Sequence, residues 1–106
     1  MNKIKQRVTI AESTGDWTEI KYNVHNSMVG KRRGLEGWYY VPYYLGNLNA
    51  MHEVLKSLST EQQVDLAHQL YNILGMHDHV EIEAIYASAE QLAEAYLKTI
   101  RMWEYE

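Results

Sequence analysis

Apolar and polar residues alternate twice in the first quarter of the chain. Ile4, Gln6, Val8 and Ile10 fall on one side of a period-two pattern, and Lys5, Arg7 and Thr9 on the other. Further on, Thr18, Ile20, Tyr22 and Val24 oppose Glu19, Lys21 and Asn23, with the turn cluster Ser13-Thr14-Gly15-Asp16 between the runs. Two such runs around a Gly-containing turn predict a β-hairpin over 4–11 and 17–24. Its core face takes Val8, Ile10, Ile20, Tyr22 and Val24. Periodicity is lost over 25–37, where His25-Asn26-Ser27 and three glycines predict a long loop. Residues 38–45 have β composition, but Pro42 has no N–H for a ladder, so an edge or broken strand is expected.

Helical spacing follows. Asn47 is a candidate N-cap for a helix carrying Leu48, Met51, Leu55 and Leu58. Thr60-x-x-Gln63 reads as a capping box opening a second helix, with a stripe of Val64, Ala67, Leu70, Tyr71 and Leu74 and with Gly75 as its C-terminal cap. The short break over 57–59 predicts an antiparallel helix pair or a tight corner. Alternation returns over 79–87, where Val80, Ile82, Ala84 and Tyr86 share a side. Ser88-x-x-Gln91 is another capping box, and Leu92, Ala93, Tyr96, Leu97, Ile100 and Trp103 face inward after it. The predicted order is β-β-(β)-α-α-β-α. Strands and helices are partly segregated, which indicates an α+β single domain over 1–106 with a mainly antiparallel sheet and about three helices. Its expected core includes Val8, Ile20, Leu70, Ile82, Leu92 and Leu97.

Residues 30–46, GKRRGLEGWYYVPYYLG, are the least ordinary part of the chain. Lys31, Arg32 and Arg33 stand between Gly30 and Gly34, and Trp38, Tyr39, Tyr40, Tyr43 and Tyr44 follow. The chain has nine Tyr, three Trp and no Phe, so every ring carries a polar tip. Such rings suit a half-wet contact surface. The segment is therefore a candidate binding surface for something anionic or planar. On an edge strand, alternate rings of Trp38–Tyr44 would instead lie over the core, and the basic stretch could be a solvated loop. Gly30-x-x-x-Gly34-x-x-Gly37 is not a P-loop, because Gly-Lys-Ser/Thr is missing. Freed backbone N–H groups with Arg32 and Arg33 could still clamp a phosphate or carboxylate.

Charge sharpens this picture. Net charge is −4, yet residues 1–33 carry seven Lys or Arg against three acids, while residues 34–106 carry three against eleven. A basic front on an acidic body can orient an anionic partner, and the overall acidity argues against nucleic acid. Hydrophobic residues make up 46% and charged residues 23%, ordinary for a globular domain. The absence of Cys fits a reducing compartment. The start MNKIKQRVTI lacks the apolar run of a signal peptide, and no stretch approaches membrane-spanning length. A cytoplasmic location without membrane association is expected.

Candidate chemistry is sparse. On a strand, His77, His79, Glu81 and Glu83 would share one face, and imidazole with carboxylate can hold a divalent ion. The simpler reading makes the same four the wet side of a strand whose core side is Val80, Ile82, Ala84 and Tyr86. A second ligand-bearing element is missing, and His52, Glu53 and His68 lie on helices without HExxH spacing. His68 with Asp65 at i−3 reads as a surface helix pair. The serines stand in turns and caps. No catalytic residue, metal or cofactor is assigned.

The segment EAIYASAEQLAEAYLKTIRMWEYE, through Ala89-Glu90-Gln91, Ala93-Glu94-Ala95, Leu97-Lys98 and Trp103-Glu104, resembles the ends of small accessory proteins of tailed phages. The resemblance implies a phage origin, a host-cytoplasm location and a small accessory domain. It carries over no functional residue. The leading expectation is a non-enzymatic binding protein, an accessory or anti-defence factor. It would dock on a host protein through Lys31, Arg32, Arg33, Trp38, Tyr39, Tyr40, Tyr43 and Tyr44. One alternative is a protein that binds or sequesters a nucleotide or other small anion, with a homo-oligomer able to build the pocket between subunits. Another is a small metal-dependent enzyme using the 77–83 face.

Overall fold

The computed structural model describes residues 1–22, 27–75 and 87–105. It shows an α+β domain with a three-stranded antiparallel sheet and helices around one shared core.

Residues 4–11 form no strand. They belong to helix α1, Lys3–Ser13, which Asn2 opens by accepting the Lys5 N–H at 2.7 Å. The helix buries Gln6, Ile10 and Ala11, a helical spacing of i, i+4 and i+5, and leaves Ile4 48% exposed. Short helices draw most of their stability from such packing. Here the packing is against the C-terminal helix and the start of the sheet.

Strand β1, Trp17–Tyr22, therefore finds its partner downstream. It pairs antiparallel with β2, Met28–Arg32, which occupies part of the expected loop. Strand β3, Tyr39–Tyr40, pairs with Val29 and Gly30 of β2 and gives the order β1-β2-β3. The ladder extends to one more bond, from Val41 N–H to the Met28 carbonyl at 2.9 Å. Pro42 follows, which has no N–H to continue the ladder, so the expected short edge strand is present. Met28 and Val41 are the buried contribution of the sheet, whereas Ile20 is half-buried and Tyr22 is 46% exposed.

A 3-10 turn, Tyr44–Gly46, leads into α2, Leu48–Leu55, where Asn47 accepts the Ala50 N–H at 3.1 Å. Helix α3, Thr60–Leu74, has a reciprocal capping box one residue earlier than expected, between Ser59 and Gln62. Gly75 closes it with a φ of +68°. Helix α4, Ala89–Thr99, opens with the expected Ser88–Gln91 box. Leu92, Ala93, Ala95, Tyr96 and Leu97 are buried almost all round it, so α4 is the central helix. Helix α3 packs on α4 rather than pairing with α2. Its inward residues are Leu66, Leu70, Ile73 and Leu74, while Val64 is 54% exposed and Ala67 also faces solvent. Leu70, Leu92 and Leu97 are buried as expected, Val8 and Ile20 only partly. The strand expected over 79–87, with Ile82, lies almost wholly outside the described residues, as do 23–24. Among the described residues no helix is long and apolar enough to cross a membrane.

Candidate functional site

Strand alternation sorts the basic run. In β2, Met28, Gly30 and Arg32 take one face, and Val29 and Lys31 take the other. Lys31 and Arg32 are adjacent in a strand, so they project to opposite faces. Arg33 follows in a turn, donating its N–H to the Asp16 carbonyl at 2.7 Å, and its side chain is exposed. The three cations are therefore not brought together as one clamp. Gly34, with a φ of +79°, supports the reversal closed by the Leu35 N–H on the Arg32 carbonyl.

The inner face builds a groove. A bulge between Trp17 and Glu19 sets Trp17 opposite Arg32 while Glu19 stays opposite Lys31. The Trp17 indole lies across Gly30, where a Cβ would stand 2.8 Å from ring carbon Cε3. The Arg32 guanidinium sits 5.6 Å above the Trp17 ring centroid. The Tyr44 hydroxyl lies near the Trp17 indole. Tyr44 is 4% exposed, and burial pushes its phenol above the ordinary range, with the neighbouring indole opposing. Helix α2 and the turn that follows it present Ala50, Glu53, Val54 and Ser57 across the gap. Since α2 packs mainly on α4 and the 3-10 turn, a groove of about 520 Å³ remains between it and the sheet. Asp16, Tyr39 and Tyr40 complete its working lining.

The outer face carries Trp38. Lys21 and Lys31 each place an ammonium against its ring, 4.8 and 5.2 Å from the centroid. Lys31 also reaches Glu19 at 3.7 Å. Trp38 is 44% exposed and Tyr40, on the edge strand, 77%. Tyr43, 52% exposed, lies under the Arg7 guanidinium at 5.5 Å. Arg7 reaches across from α1 and donates to the Val41 and Pro42 carbonyls, the latter at 2.9 Å. Burial lowers its pKa, partly opposed by nearby tyrosines. Arg7 thus ties the aromatic segment to the helical body.

The aromatic run is consequently split between two surfaces. Arg32, Tyr39 and Tyr44 belong to the groove, Lys31 and Trp38 to the outer face, and Tyr40 borders both. Trp17, Lys21 and Arg7 were missed by sequence reasoning, and Glu53 was weighed only as a metal ligand. Their roles depend on cross-strand register and helix placement, which leave no local signal. A smaller hollow of about 400 Å³ gathers Asp65, Gln69, Arg101, Trp103 and Tyr105 around Lys98. There Lys98 lies 5.6 Å from each of two ring centroids and 3.0 Å from Glu94. His77, His79, Glu81 and Glu83 lie outside the described residues, and no group of three possible metal ligands occurs among the described ones. His52 and Glu53 are exposed on α2, and exposed His68 tilts against Tyr71 on α3. No family model, curated protein or solved structure matches the chain.

Proposed function

We propose that the chain is a non-enzymatic binding protein that docks on an acidic segment of another protein through its outer sheet face. The observation that carries this reading is Trp38, 44% exposed yet steadied by Lys21 and Lys31 against its ring. A ring already held loses little freedom on binding, which is the property of an interface anchor. Exposed Tyr40 and Tyr43 extend the aromatic area, and Tyr and Trp are the rings enriched at protein interfaces. Charge selects the partner: Lys21 and Lys31 both stand against Trp38, with Glu19 as the acid paired to Lys31. They favour carboxylates flanking an apolar side chain. The phage-like C-terminal segment makes a host protein the natural source of that partner.

The test places a photo-crosslinking residue at Tyr43 in the full chain, identifies the captured protein, and measures its binding after purification. Trp38→Ala is expected to cost about 2 kcal/mol or more, roughly a thirtyfold loss of affinity. Lys21→Ala with Lys31→Ala is expected mainly to slow association and flatten its salt dependence. An unchanged Kd for Trp38→Ala refutes the anchor. Crosslinks confined to a second copy of the chain, with a dimer in native mass spectra that Trp38→Ala dissolves, make self-association the occupant and also refute it.

A further inference from the structure

The groove between the sheet and α2 lies on the far side of β2 from Trp38 and is separable from the docking surface. Its volume of about 520 Å³ is that of a small-molecule site. Its lining divides by chemistry. Tyr39 lines the groove and is 39% exposed, an aromatic surface on which a flat ligand can stack. Trp17 is already occupied, with Arg32 above it and Gly30 beneath it, and acts as a floor that holds the guanidinium in place. Arg32 forms no ion pair among the described residues. Two carboxylates, Asp16 and Glu53, stand in the same lining. Glu53 engages Lys56 through Oε1 at 2.7 Å, and its other oxygen remains an acceptor. Ala50 and Ser57 are small where α2 and the turn after it face the sheet, which keeps the gap open.

We infer that this groove binds a purine mononucleotide of the guanine type. The base lies on Tyr39, the phosphate on Arg32, and the N–H edge of the base on a carboxylate. Charge complementarity decides among ligand classes. A guanidinium takes phosphate oxygens in pairs. A purely anionic ligand such as inorganic phosphate would meet two carboxylates of its own sign, and a purely cationic ligand would meet Arg32. A molecule with an anionic tail and a donor edge satisfies both. Guanine presents two adjacent N–H donors, matching a carboxylate, whereas adenine sets an acceptor beside its amine. An aromatic face accepts either base, so stacking supplies affinity and the carboxylates supply the choice.

Calorimetry of the full chain with GMP, AMP and inorganic phosphate as separate probes tests this. GMP is expected to saturate one site and to bind about tenfold or more tighter than AMP or phosphate. Arg32→Gln and Tyr39→Ala are each expected to weaken GMP about tenfold. Asp16→Asn with Glu53→Gln should remove the preference for GMP over AMP, and Trp38→Ala should leave GMP binding as it is. Circular dichroism reports whether each variant folds. If Arg32→Gln does not, Arg32→Lys keeps the charge without the planar fork and is expected to weaken GMP as well. The inference is overturned by the absence of saturable GMP binding at millimolar concentration. AMP or phosphate matching GMP overturns it too, as does binding indifferent to Arg32 and Tyr39. Loss of GMP binding in Trp38→Ala moves the ligand to the outer face and overturns the groove assignment. The groove variants at Asp16, Arg32, Tyr39 and Glu53 leave protein capture by Trp38 untouched, so failure in the groove is distinguishable from failure of the docking surface.

Discussion

Gly30→Ala places one methyl group where the two-faced design is tightest. The new Cβ would lie 2.5 Å from the Glu19 carbonyl oxygen and 2.8 Å from Cε3 of Trp17. The first neighbour is backbone of the paired strand and the second is a ring with the Arg32 guanidinium on it, so neither is a flexible tip that can swing away. Either β1 moves off β2 or the indole leaves its place. Overpacking of this kind costs about 1–3 kcal/mol. Removing a glycine from a strand returns about 0.4–1 kcal/mol through the unfolded chain where the backbone is compatible. A net loss of about 1.3 kcal/mol follows, a fall in Tm of roughly 5–10 °C for a domain this small. Thermal melts followed by circular dichroism measure it, and tryptophan emission shifts to the red as Trp17 becomes wet. Gly46→Ala is the internal control. Its Cβ also meets a ring, at 2.7 Å from Tyr43, but that ring is 52% exposed and can shift outward, with the Arg7 guanidinium on its face. The control should fall by less than a third of the Gly30→Ala shift. Equal shifts, or a Gly30→Ala melt within 2 °C of the parent (about a quarter of a kcal/mol), would refute the placement of Trp17 over Gly30.

Two further expectations rest on single side chains. Arg7→Met removes the charged donor from the Val41 and Pro42 carbonyls and should lower urea stability by about 2 kcal/mol; Arg7→Lys should recover less than half, and a loss under about 0.5 kcal/mol sinks the idea that Arg7 anchors the aromatic segment. Burial raises the Tyr44 pKa, so the folded chain keeps that proton where the unfolded chain has lost it, and the stability is present below about pH 10 and lost as pH rises through the folded pKa. Tyr44→Phe should make the alkaline decline shallower, and parallel stability curves above pH 10 would contradict this.

Local signals were the legible part of the chain. Asn47, the Ser88–Gln91 box and Gly75 act within a few residues of themselves, and each sits where it was expected. Pro42 likewise limited β3 by what it lacks. Residues 4–11 were misread because four alternating positions fit two periods at once: Ile4 and Val8 are also i and i+4. The cap at Asn2 and the burial of Ile10 with Ala11 resolve the ambiguity, and that burial depends on α4, some eighty residues away. Strand pairing was misplaced in turn, since losing 4–11 left β1 to pair with 28–32. The basic run then changed meaning. Read as a loop, Lys31, Arg32 and Arg33 form one cluster; read as strand and turn, they serve two faces.

The missing phenylalanines follow from the same geometry. Nearly every ring described here stands at a boundary, where one end meets the core and the other meets a polar group or water. Tyr44 is buried, with its hydroxyl near the Trp17 indole and the Arg32 and Arg7 charges. Tyr96 is 3% exposed, and its hydroxyl lies 2.7 Å from the Ser13 hydroxyl. Tyr96→Phe would leave the Ser13 hydroxyl without that bond, at about 1 kcal/mol or more. The outward rings differ in kind: Tyr40 and Tyr43 gain nothing for the fold from a hydroxyl, since water satisfies it in either state. Their polar tips matter only if something else is to be met there. Selection for packing alone would permit Phe, Leu or a charged residue at these positions, whereas a surface that must stay wet when free and become dry when bound calls for Tyr and Trp.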